Sequence, residues 1–543
     1  MFDLASGSSH SQATPSEVKS RYDFIVCGSG SSGSVVASRL AEDPDVQVLL
    51  LEAGGGDDMP EVTQAGQWPM NLGSERDWGF AAIPNPRLNG RAMPLNMGRV
   101  LGGGSSINAM IWARGHKNDW DYFAAEAGDN AWNYESALTI YRRIEDWHGA
   151  PDPKRRGTGG PVYVQPAFEP NPIAPAFIAG AASLGVEVYD DAMGRMMEGA
   201  GGVALNNLRI RNDRRESVFR TYVSPMMDRP NLTVLSQALV LRVLFEGRKA
   251  VGVEIFHEGT NRRIYASLET VLSLGSINTP KLLMQSGIGD EAELKQFNIP
   301  VVQHLPGVGK NFQDHIMVSS VWEYQEPLAP RNNGGEVTLF WKSDSSLVTP
   351  DLQLLQAEFP LLTPENAHYA SLAAAWSIAA CLVRPGSSGR VSITGSDPLD
   401  PVQIDTNTLE DPADLQALLK AVEFSREIGN SASLRAFAKR EVMPASSNTS
   451  DLETFIRNGI STVWHQASTA KMGRDPTSVV DGELKVYGVQ NLRVADASIM
   501  PRVTTGNTMA PCVIIGERAA EMLQVTHKLK RTTTEHLYEC VAV

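Results

Sequence analysis

Residues 22–40, "YDFIVCGSGSSGSVVASRL", run from an apolar segment through a glycine cluster into a helix-compatible segment. Gly28, Gly30 and Gly33 form the pattern GxGxxG. In a strand–turn–helix unit the first glycine permits the tight turn, the second lets the backbone approach a pyrophosphate, and the third lets the helix pack on the strand. The helix start supplies free amides for the anion. The segment therefore predicts a dinucleotide-binding unit on a parallel sheet.

A carboxylate follows the glycine cluster at the sequence separation expected for a dinucleotide-binding unit. The segment "VQVLLLEAG" (residues 46–54) is predicted to be a second buried strand, and it ends at Glu52. An acid placed about twenty residues after the glycines can accept hydrogen bonds from both hydroxyls of an adenosine ribose. Strand, glycines, helix, strand and acid in this order favour an adenine dinucleotide over a purely structural glycine turn. NAD and FAD both fit the pattern.

A second glycine-rich segment, "GRVLGGGSSINAMIWARG" (residues 98–115), bears on that choice. Ordering three consecutive glycines is costly without a ligand, although a flexible surface loop is the alternative. We interpret residues 105–113, "SSINAMIWA", as a helix start that supplies a second set of free amides. A second anion cradle suits the longer FAD better than NAD.

Five motifs together resemble the glucose-methanol-choline (GMC) oxidoreductases. They are the GxGxxG segment, "GRVLGGGSSINAMIWARGHKNDWD" (98–121), "GSINTPKLLMQSGIG" (275–289), "LPGVGKNFQDH" (305–315) and "NLRVADASIMPRVTTGNTMAPCVIIGERAAEML" (491–523). The resemblance extends from about residue 22 to residue 523. Within the family, the chain is most similar to the alcohol oxidase and choline dehydrogenase-like branch. It implies a bound FAD with the pyrophosphate on residues 28–33, the ribose on Glu52 and the flavin against Ser105, Asn108 and Ala109.

The full set of FAD-binding residues that the resemblance implies is Gly28, Gly30, Ser31, Ser32, Gly33, Glu52, Ala53, Arg99, Leu101, Gly104, Ser105, Asn108, Ala109, Met110, Val240, Trp464, Asp496, Ala497 and Thr508. Val240 matches the position whose backbone meets adenine in the family.

Two positions depart from the choline-oxidising relatives. Some of those relatives attach flavin covalently through a histidine in the glycine-rich loop, but this chain has Ile107 there, so FAD is predicted to be noncovalent. Choline-type members also carry a glutamate two residues after the "QDH" motif, where this chain has Met317. A thioether cannot offset the desolvation of a quaternary ammonium. An aromatic or otherwise apolar primary alcohol is therefore the expected substrate, bound by Met317 and Trp464.

His465, in "STVWHQASTAKMG", is the candidate catalytic base. An imidazole titrates at about 6.5 when unperturbed, which suits removal of a hydroxyl proton. A core histidine bonded to a carbonyl is the alternative from the residues alone. The family resemblance implies a catalytic pair of His465 with Asn507, whose amide can donate to the substrate oxygen without titrating. His315, in "NFQDH", is expected to make a structural hydrogen bond.

Composition excludes several classes of function. A net charge of -14 disfavours binding to nucleic acid and to anionic membranes. Four widely spaced cysteines offer no metal-ligand spacing, so no metal site is predicted and a reducing compartment fits. The apolar run 370–383 is shorter than the roughly 20 residues of a membrane span. The N-terminal segment lacks the basic start and apolar core of a signal peptide, which predicts a cytoplasmic protein.

The motifs recur at the start, middle and end of the chain, so the predicted fold is α/β (α+β) with discontinuous domains. A Rossmann-like FAD-binding domain with a parallel sheet comprises residues 21–165, 200–315 and 465–525. A substrate-binding domain comprises 166–199 and 316–464. Its antiparallel sheet is predicted from strand-like segments at 317–327, 336–343, 350–360 and 389–395, and residues 411–430 are predicted to form an amphipathic helix. Residues 1–20 are expected to form a flexible arm and residues 526–543 a tail, and residues 77–96 are expected to form a loop over the entrance.

These observations predict FAD-dependent oxidation of an alcohol to the aldehyde, with proton transfer to His465, hydride transfer to flavin N5, and reoxidation by O2 or a quinone-type acceptor. Two alternatives stay open at this point. One is a hydroxynitrile lyase that uses the same fold with a structural FAD, and the other is a noncatalytic flavin-binding protein. Neither the exact alcohol nor the choice between monomer and homodimer follows from the sequence.

Overall fold

The computed structural model describes residues 18–369, 374–444 and 448–530. Most of the expected N-terminal arm and C-terminal tail therefore lies outside the described residues. Within them the chain forms two large sheets, one mainly parallel and one antiparallel, each with its own hydrophobic core. The predicted α/β fold is confirmed.

The first sheet is built around the strand Arg21–Cys27, which pairs in parallel with Val48–Leu51 on one side and with Thr260–Leu272 on the other. Val48–Leu51 is buried throughout, as expected for a strand covered on both faces. An antiparallel hairpin extends the sheet at one edge. The strands, in spatial order, are Leu232–Leu235, Val48–Leu51, Arg21–Cys27, Thr260–Leu272, Lys249–His257 and Leu239–Glu246, and Leu492–Val494 also pairs with Thr260–Leu272.

The second sheet is antiparallel throughout and contains three of the four strand-like segments predicted between residues 317 and 395. Its strands, in spatial order, are Ala438–Met443, Ile316–Tyr324, Ala375–Leu382, Leu352–Ala357, Val337–Trp341 and Gly202–Leu205, with Ser461–Thr462 also paired to Ile316–Tyr324. The predicted strand at 389–395 lies instead in a separate pair, Arg390–Ile393 with Val402–Asp405. Gly202–Leu205 joins this sheet although it falls within the proposed FAD-binding segments.

Short strands complete the β structure. They are Phe80–Ala81 with Pro94–Leu95, Glu145–Trp147 with Val162–Pro166 and Asn207–Leu208, Ile210–Arg211 with Arg214–Arg215, and Ile288–Gly289 with Gln303–His304. The α-helices are Ser31–Ala41, Pro60–Thr63, Lys117–Ala127, Tyr134–Ile144, Ile173–Ser183, Val218–Tyr222, Gly275–Gln285, Glu291–Gln296, Pro412–Gly429, Thr449–Gly459 and Met509–His527. The helix predicted at 411–430 is confirmed.

The helix expected at residues 105–113 is wrong. Residues Gly103–Ser106 form one 3-10 turn, after which the chain is not helical. The Asn108 side chain accepts a hydrogen bond from the amide of Met110, whose φ is 58°. The Trp112 amide then donates to the Asn207 carbonyl. Local side-chain bonding and pairing with a distant segment override the helical preference of the apolar residues.

Candidate active site

The glycine turn after the first strand is set by packing. Gly28 has a φ of 98°, and a Cβ there would lie 2.3 Å from the Ser273 carbonyl oxygen. A Cβ at Gly33 would lie 1.9 Å from the Gly28 carbonyl oxygen. At Gly30 a Cβ would meet nothing within 4 Å. The first and third glycines therefore allow strand and helix to approach closely, whereas Gly30 borders open space.

That open space lies at the start of the helix Ser31–Ala41. Gly30 is its N-cap residue and no side chain caps the helix, which leaves its first amides free for an anion. The second glycine segment closes this wall, because a Cβ at Gly103 would lie 2.9 Å from the Gly30 Cα. The Gly102 amide donates to the Ser29 hydroxyl at 3.1 Å. The two glycine segments thus form one continuous surface of backbone.

Glu52 is buried at the end of the strand Val48–Leu51. Its Oε2 accepts hydrogen bonds from the Ser29 amide at 3.1 Å and the Ser29 hydroxyl at 2.7 Å, and its Oε1 accepts from the Gly54 amide at 2.9 Å. Burial raises the pKa of the Glu52 carboxyl, while the bonds from Gly54 and Ser29 oppose that shift. These bonds hold the carboxylate at the cavity wall.

One cavity joins these elements to the candidate catalytic pair. Most of the predicted site residues line it, namely Gly28, Gly30, Ser31, Ser32, Glu52, Ala53, Gly104, Ser105, Asn108, Ala109, Met317, Trp464, His465, Asp496, Ala497, Asn507 and Thr508. Glycine backbone at the close approach, an uncapped helix start and a buried carboxylate on one wall fit an adenine dinucleotide. These residues come from six separate segments of the sequence, and the fold brings them to one cavity.

Five predicted residues are not among those that line the cavity. Gly33 lies within the helix Ser31–Ala41, and Leu101 and Met110 are buried. The exposed Arg99 has its guanidinium carbon 5.1 Å from the ring centre of Trp78. Val240 pairs with Ile255 in the antiparallel edge of the first sheet. A cofactor-binding role for these five stays a prediction.

His465 and Asn507 meet in the lining of the same cavity. The Asn507 Nδ2 lies 3.2 Å from the His465 Nε2, and the His465 Nδ1 lies 2.8 Å from the His315 Nδ1. Of two facing Nδ1 atoms, one must carry a hydrogen and the other a lone pair. The Gln353 Nε2 donates to the Asn507 Oδ1 at 3.4 Å, so the Asn507 amide N–H groups face His465. His465 then accepts at Nε2 and carries its hydrogen on Nδ1.

Burial sets the charge of this histidine pair. It lowers the pKa of His465 to about 3 and lowers the pKa of His315 as well. His465, which is 8% exposed, is therefore neutral near pH 7, and its Nε2 lone pair faces the Asn507 amide. The sequence suggests His465 as a base from an unperturbed imidazole pKa of about 6.5, whereas in the structure burial lowers that pKa and the hydrogen bonds fix the tautomer.

Asp314 holds the backbone of His465 in place. Its Oδ1 accepts from the His465 amide at 2.8 Å, and its Oδ2 accepts from the Gln466 amide side chain at 3.1 Å and from the Thr462 hydroxyl. Burial raises the pKa of Asp314 to about 7, against these hydrogen bonds. This role of Asp314 was not predicted from the sequence, although the "NFQDH" motif contains both Asp314 and His315.

The neighbouring Trp464 adopts a strained conformation with a φ of 61°. A bulky residue rarely occupies the left-handed region, and such strain clusters at functional sites. The Thr462 hydroxyl accepts from the Trp464 amide at 2.7 Å, and the indole N–H donates to the Asn96 Oδ1 at 3.0 Å. Asn96 and Trp78 also line the cavity and belong to the loop predicted to cover its entrance.

The wall around His465 is largely apolar and aromatic. Trp464 and Trp68 pack edge to face with ring centres 6.3 Å apart, and Trp68 lies equally far from Phe359. The cavity lining here also includes Leu355, Leu361, Val463 and Met317. The carboxylates that line the cavity in the described part of the chain are Glu52 and Asp496. Asp496 is already engaged by the Gly275 amide and the Thr279 hydroxyl.

Among residues 18–369, 374–444 and 448–530, no helix is both long and apolar enough to cross a membrane. The same residues contain no cluster of three or more His, Cys, Asp or Glu side chains that could hold a metal ion.

Known proteins resemble this chain along nearly its whole length. Two sequence models of the GMC oxidoreductases match residues 22–317 and 385–516. An alcohol dehydrogenase [acceptor] of Pseudomonas putida is 34% identical, covering 92% of this chain and 95% of its own length. The mitochondrial choline dehydrogenase of Mus musculus is 35% identical, with 95% and 91% covered. The crystal structure of pyridoxine 4-oxidase from Mesorbium loti has a TM-score of 0.88 at 31% identity, covering 93% and 99%.

Proposed function

Because this chain belongs to the GMC oxidoreductase family, whose members depend on FAD and act on alcohols, we propose that it oxidises a primary aromatic or otherwise apolar alcohol to the aldehyde. The observation that carries the proposal is the neutral His465 imidazole, with its Nε2 facing the Asn507 amide at the aromatic end of the cavity. Both side chains can contact one alcohol oxygen there.

The cofactor is proposed to lie along the cavity from Glu52 towards His465. The two glycine segments and the start of the helix Ser31–Ala41 would hold the pyrophosphate. Glu52 would accept hydrogen bonds from the ribose hydroxyls. Ser105, Asn108 and Ala109 would contact the flavin, with Asp496, Ala497 and Thr508 beside it. When bound, FAD supplies the acceptor for the hydride that leaves the alcohol carbon.

His465 is proposed to take the hydroxyl proton at Nε2. The N–H on its Nδ1 donates to the His315 Nδ1, so the protonated imidazole that forms keeps a hydrogen-bond acceptor behind it. The Asn507 Nδ2 would donate to the same substrate oxygen and stabilise negative charge there. Gln353 keeps the Asn507 amide in the orientation that this requires. His315 and Gln353 are thus positioning residues.

The cavity wall supports the proposed substrate class. Glu52 and Asp496 lie among the dinucleotide-binding motifs, so no carboxylate of the described cavity lining is free to pair with a substrate cation near His465. Two of the family relatives named above carry alcohol and choline in their names. The aromatic faces of Trp68, Trp464 and Phe359 offer a route by which a quaternary ammonium could still bind.

We expect benzylic and furanic alcohols to have a higher kcat/KM than choline. The decisive comparison is choline against 3,3-dimethylbutan-1-ol, which has the same shape without the charge, because a cation loses its hydration in an apolar cavity. The neutral analogue should be the better substrate, measured by peroxide formation and by dye reduction so that either acceptor is detected. A higher kcat/KM for choline would contradict the substrate assignment.

Anaerobic addition of a good alcohol should bleach the flavin absorbance. This result separates the proposed oxidoreductase from a hydroxynitrile lyase or a noncatalytic flavin protein, in which the flavin would stay oxidised. If no benzylic or furanic alcohol bleaches the flavin, the proposed function is wrong.

FAD is expected to be released by acid precipitation. Ile107 lines the cavity and has no nucleophilic atom, so it cannot form the covalent bond that a histidine at this position forms in some relatives. The measurement is the flavin absorbance of the supernatant. Flavin that stays with the precipitated protein would contradict the prediction.

Glu52→Ala is expected to weaken FAD retention more than Glu52→Gln. The amide keeps an acceptor for the ribose and for the Ser29 or Gly54 amide, whereas alanine leaves these donors unpaired at about 1 to 3 kcal/mol. Flavin occupancy after purification measures the effect, with thermal unfolding of the apoprotein as the control for a general loss of stability. Full occupancy in both variants would exclude Glu52 from the cofactor site.

A further inference from the structure

Two buried arginines, Arg209 and Arg215, lack a carboxylate partner in the described part of the chain. They are 0% and 2% exposed, and neither forms an ion pair with a described residue. The other buried arginines in that part all do: Arg39 with Glu517, Arg114 with Glu145, Arg156 with Asp191, and Arg493 with Glu269. Two buried charges are thus left without an ion pair among the described residues, although Arg209 lies 5.5 Å from the ring centre of Trp112.

Arg215 lies directly behind the cavity wall. Its Nη1 donates to the Asn108 Oδ1 at 2.7 Å and to the Ser105 carbonyl at 3.2 Å, and both of those residues line the cavity. Its Nε donates to the Val62 carbonyl at 2.8 Å, while its Nη2 is buried without a hydrogen-bond partner. The hydrogen bonds fix the guanidinium without neutralising it.

Arg209 adds a second charge nearby. Its Nη2 donates to the Thr221 hydroxyl at 2.5 Å, and its Nε and Nη1 are buried without hydrogen-bond partners. Burial lowers the pKa of Arg209 to about 10, and burial with repulsion from Arg209 lowers the pKa of Arg215 to about 9. Glu216 attracts Arg209 without forming an ion pair. Both arginines therefore carry a full charge near pH 7.

A buried cation without a partner is costly to keep, and the cost falls when a negative charge forms close to it. The proposed reaction forms such a negative charge. The alcohol carbon loses a hydride, the hydroxyl proton goes to His465, and the products are a neutral aldehyde, an imidazolium and a reduced flavin with one negative charge. On the proposed function, that charge develops on the ring that Ser105, Asn108 and Ala109 would contact.

We propose that Arg215, with Arg209 behind it, stabilises the negative charge of the reduced flavin and so favours hydride transfer. Neither arginine lines the cavity in the described structure, so both act through the electrostatic potential across the wall formed by Ser105 and Asn108. This inference rests on the proposed function for the identity of the cofactor.

Sulfite binding to the oxidised holoenzyme tests the inference without any alcohol. Sulfite adds to flavin N5 and leaves the same negative charge on the ring. Arg215→Met should raise the Kd for sulfite about tenfold, which corresponds to a midpoint potential lower by about 30 mV for a two-electron couple. Arg215→Lys, which keeps the charge, should stay near the parent. Arg209→Met should give a smaller rise in Kd.

Arg214→Met is the matched control, because Arg214 is the adjacent residue of the same short strand and is exposed. Its Kd for sulfite should match the parent. Equal rises for Arg215→Met and Arg215→Lys would show that only the hydrogen bonds matter and would overturn the inference, as would an unchanged Kd for Arg215→Met. If the charge-dependent shifts occur but no alcohol reduces the flavin, the inference stands and the proposed alcohol oxidation fails.

Discussion

His465→Ala is expected to slow anaerobic flavin reduction by about 10² to 10⁴, the usual range for loss of a general base. FAD should stay bound, because the two glycine segments and Glu52, which would hold it, make no contact with His465 that the substitution removes. Raising the pH should partly restore the rate, since alkoxide formed in solution replaces the lost proton acceptor. Stopped-flow measurement of flavin bleaching gives the rate directly.

The parent enzyme provides a further check on the same residue. Since burial lowers the pKa of His465 to about 3, its base form is present at every pH above that value. The reduction rate should therefore show no loss near pH 6.5 attributable to this imidazole as the pH falls.

His116→Ala is the control for a structural histidine. His116 is as buried as His465, but it caps the helix Lys117–Ala127 and does not line the cavity. Its loss should cost about 1 kcal/mol of stability and leave flavin reduction near the parent rate. A folded, FAD-replete His465→Ala variant that reduces its flavin as fast as the parent would exclude the base role.

Asn507→Ala is expected to slow flavin reduction by about 10² to 10³, the effect of removing one donor to a developing oxyanion. The reason is the position of its Nδ2, which faces the His465 Nε2. The substrate oxygen is expected to bind next to both of these nitrogen atoms. The measurement is again anaerobic bleaching, at saturating alcohol so that weaker substrate binding is separated from slower chemistry.

Asn507→Asp distinguishes donation from simple packing. The carboxylate has nearly the same shape but donates no hydrogen bond, and its charge should raise the pKa of His465. Reduction should then be slow and should fall further as the pH drops through the raised pKa. A near-parent rate for Asn507→Asp would show that Asn507 only fills space.

Much of the fold was predictable because its signals are local. A buried apolar run, a glycine turn and a helix start are adjacent in the chain, so residues 22–40 predict the strand Arg21–Cys27 and the helix Ser31–Ala41. The same is true of the strand Ile316–Tyr324 and the helix Pro412–Gly429. The helix expected at residues 105–113 failed because pairing with the Asn207 segment, about a hundred residues away, outweighs local preference.

In the candidate site, too, some features were predictable from the sequence and others depend on the tertiary structure. Motif spacing pointed to Glu52, whereas the choice of His465 over a core histidine and its pairing with Asn507 came from the family resemblance. The tautomer of His465 depends on His315 and Gln353, and its low pKa on burial, neither of which a linear motif contains. Likewise, only packing shows that Arg209 and Arg215 are buried without carboxylates in the described chain. Protonation and electrostatic potential arise from the distances between groups that are remote in sequence, and folding alone sets those distances.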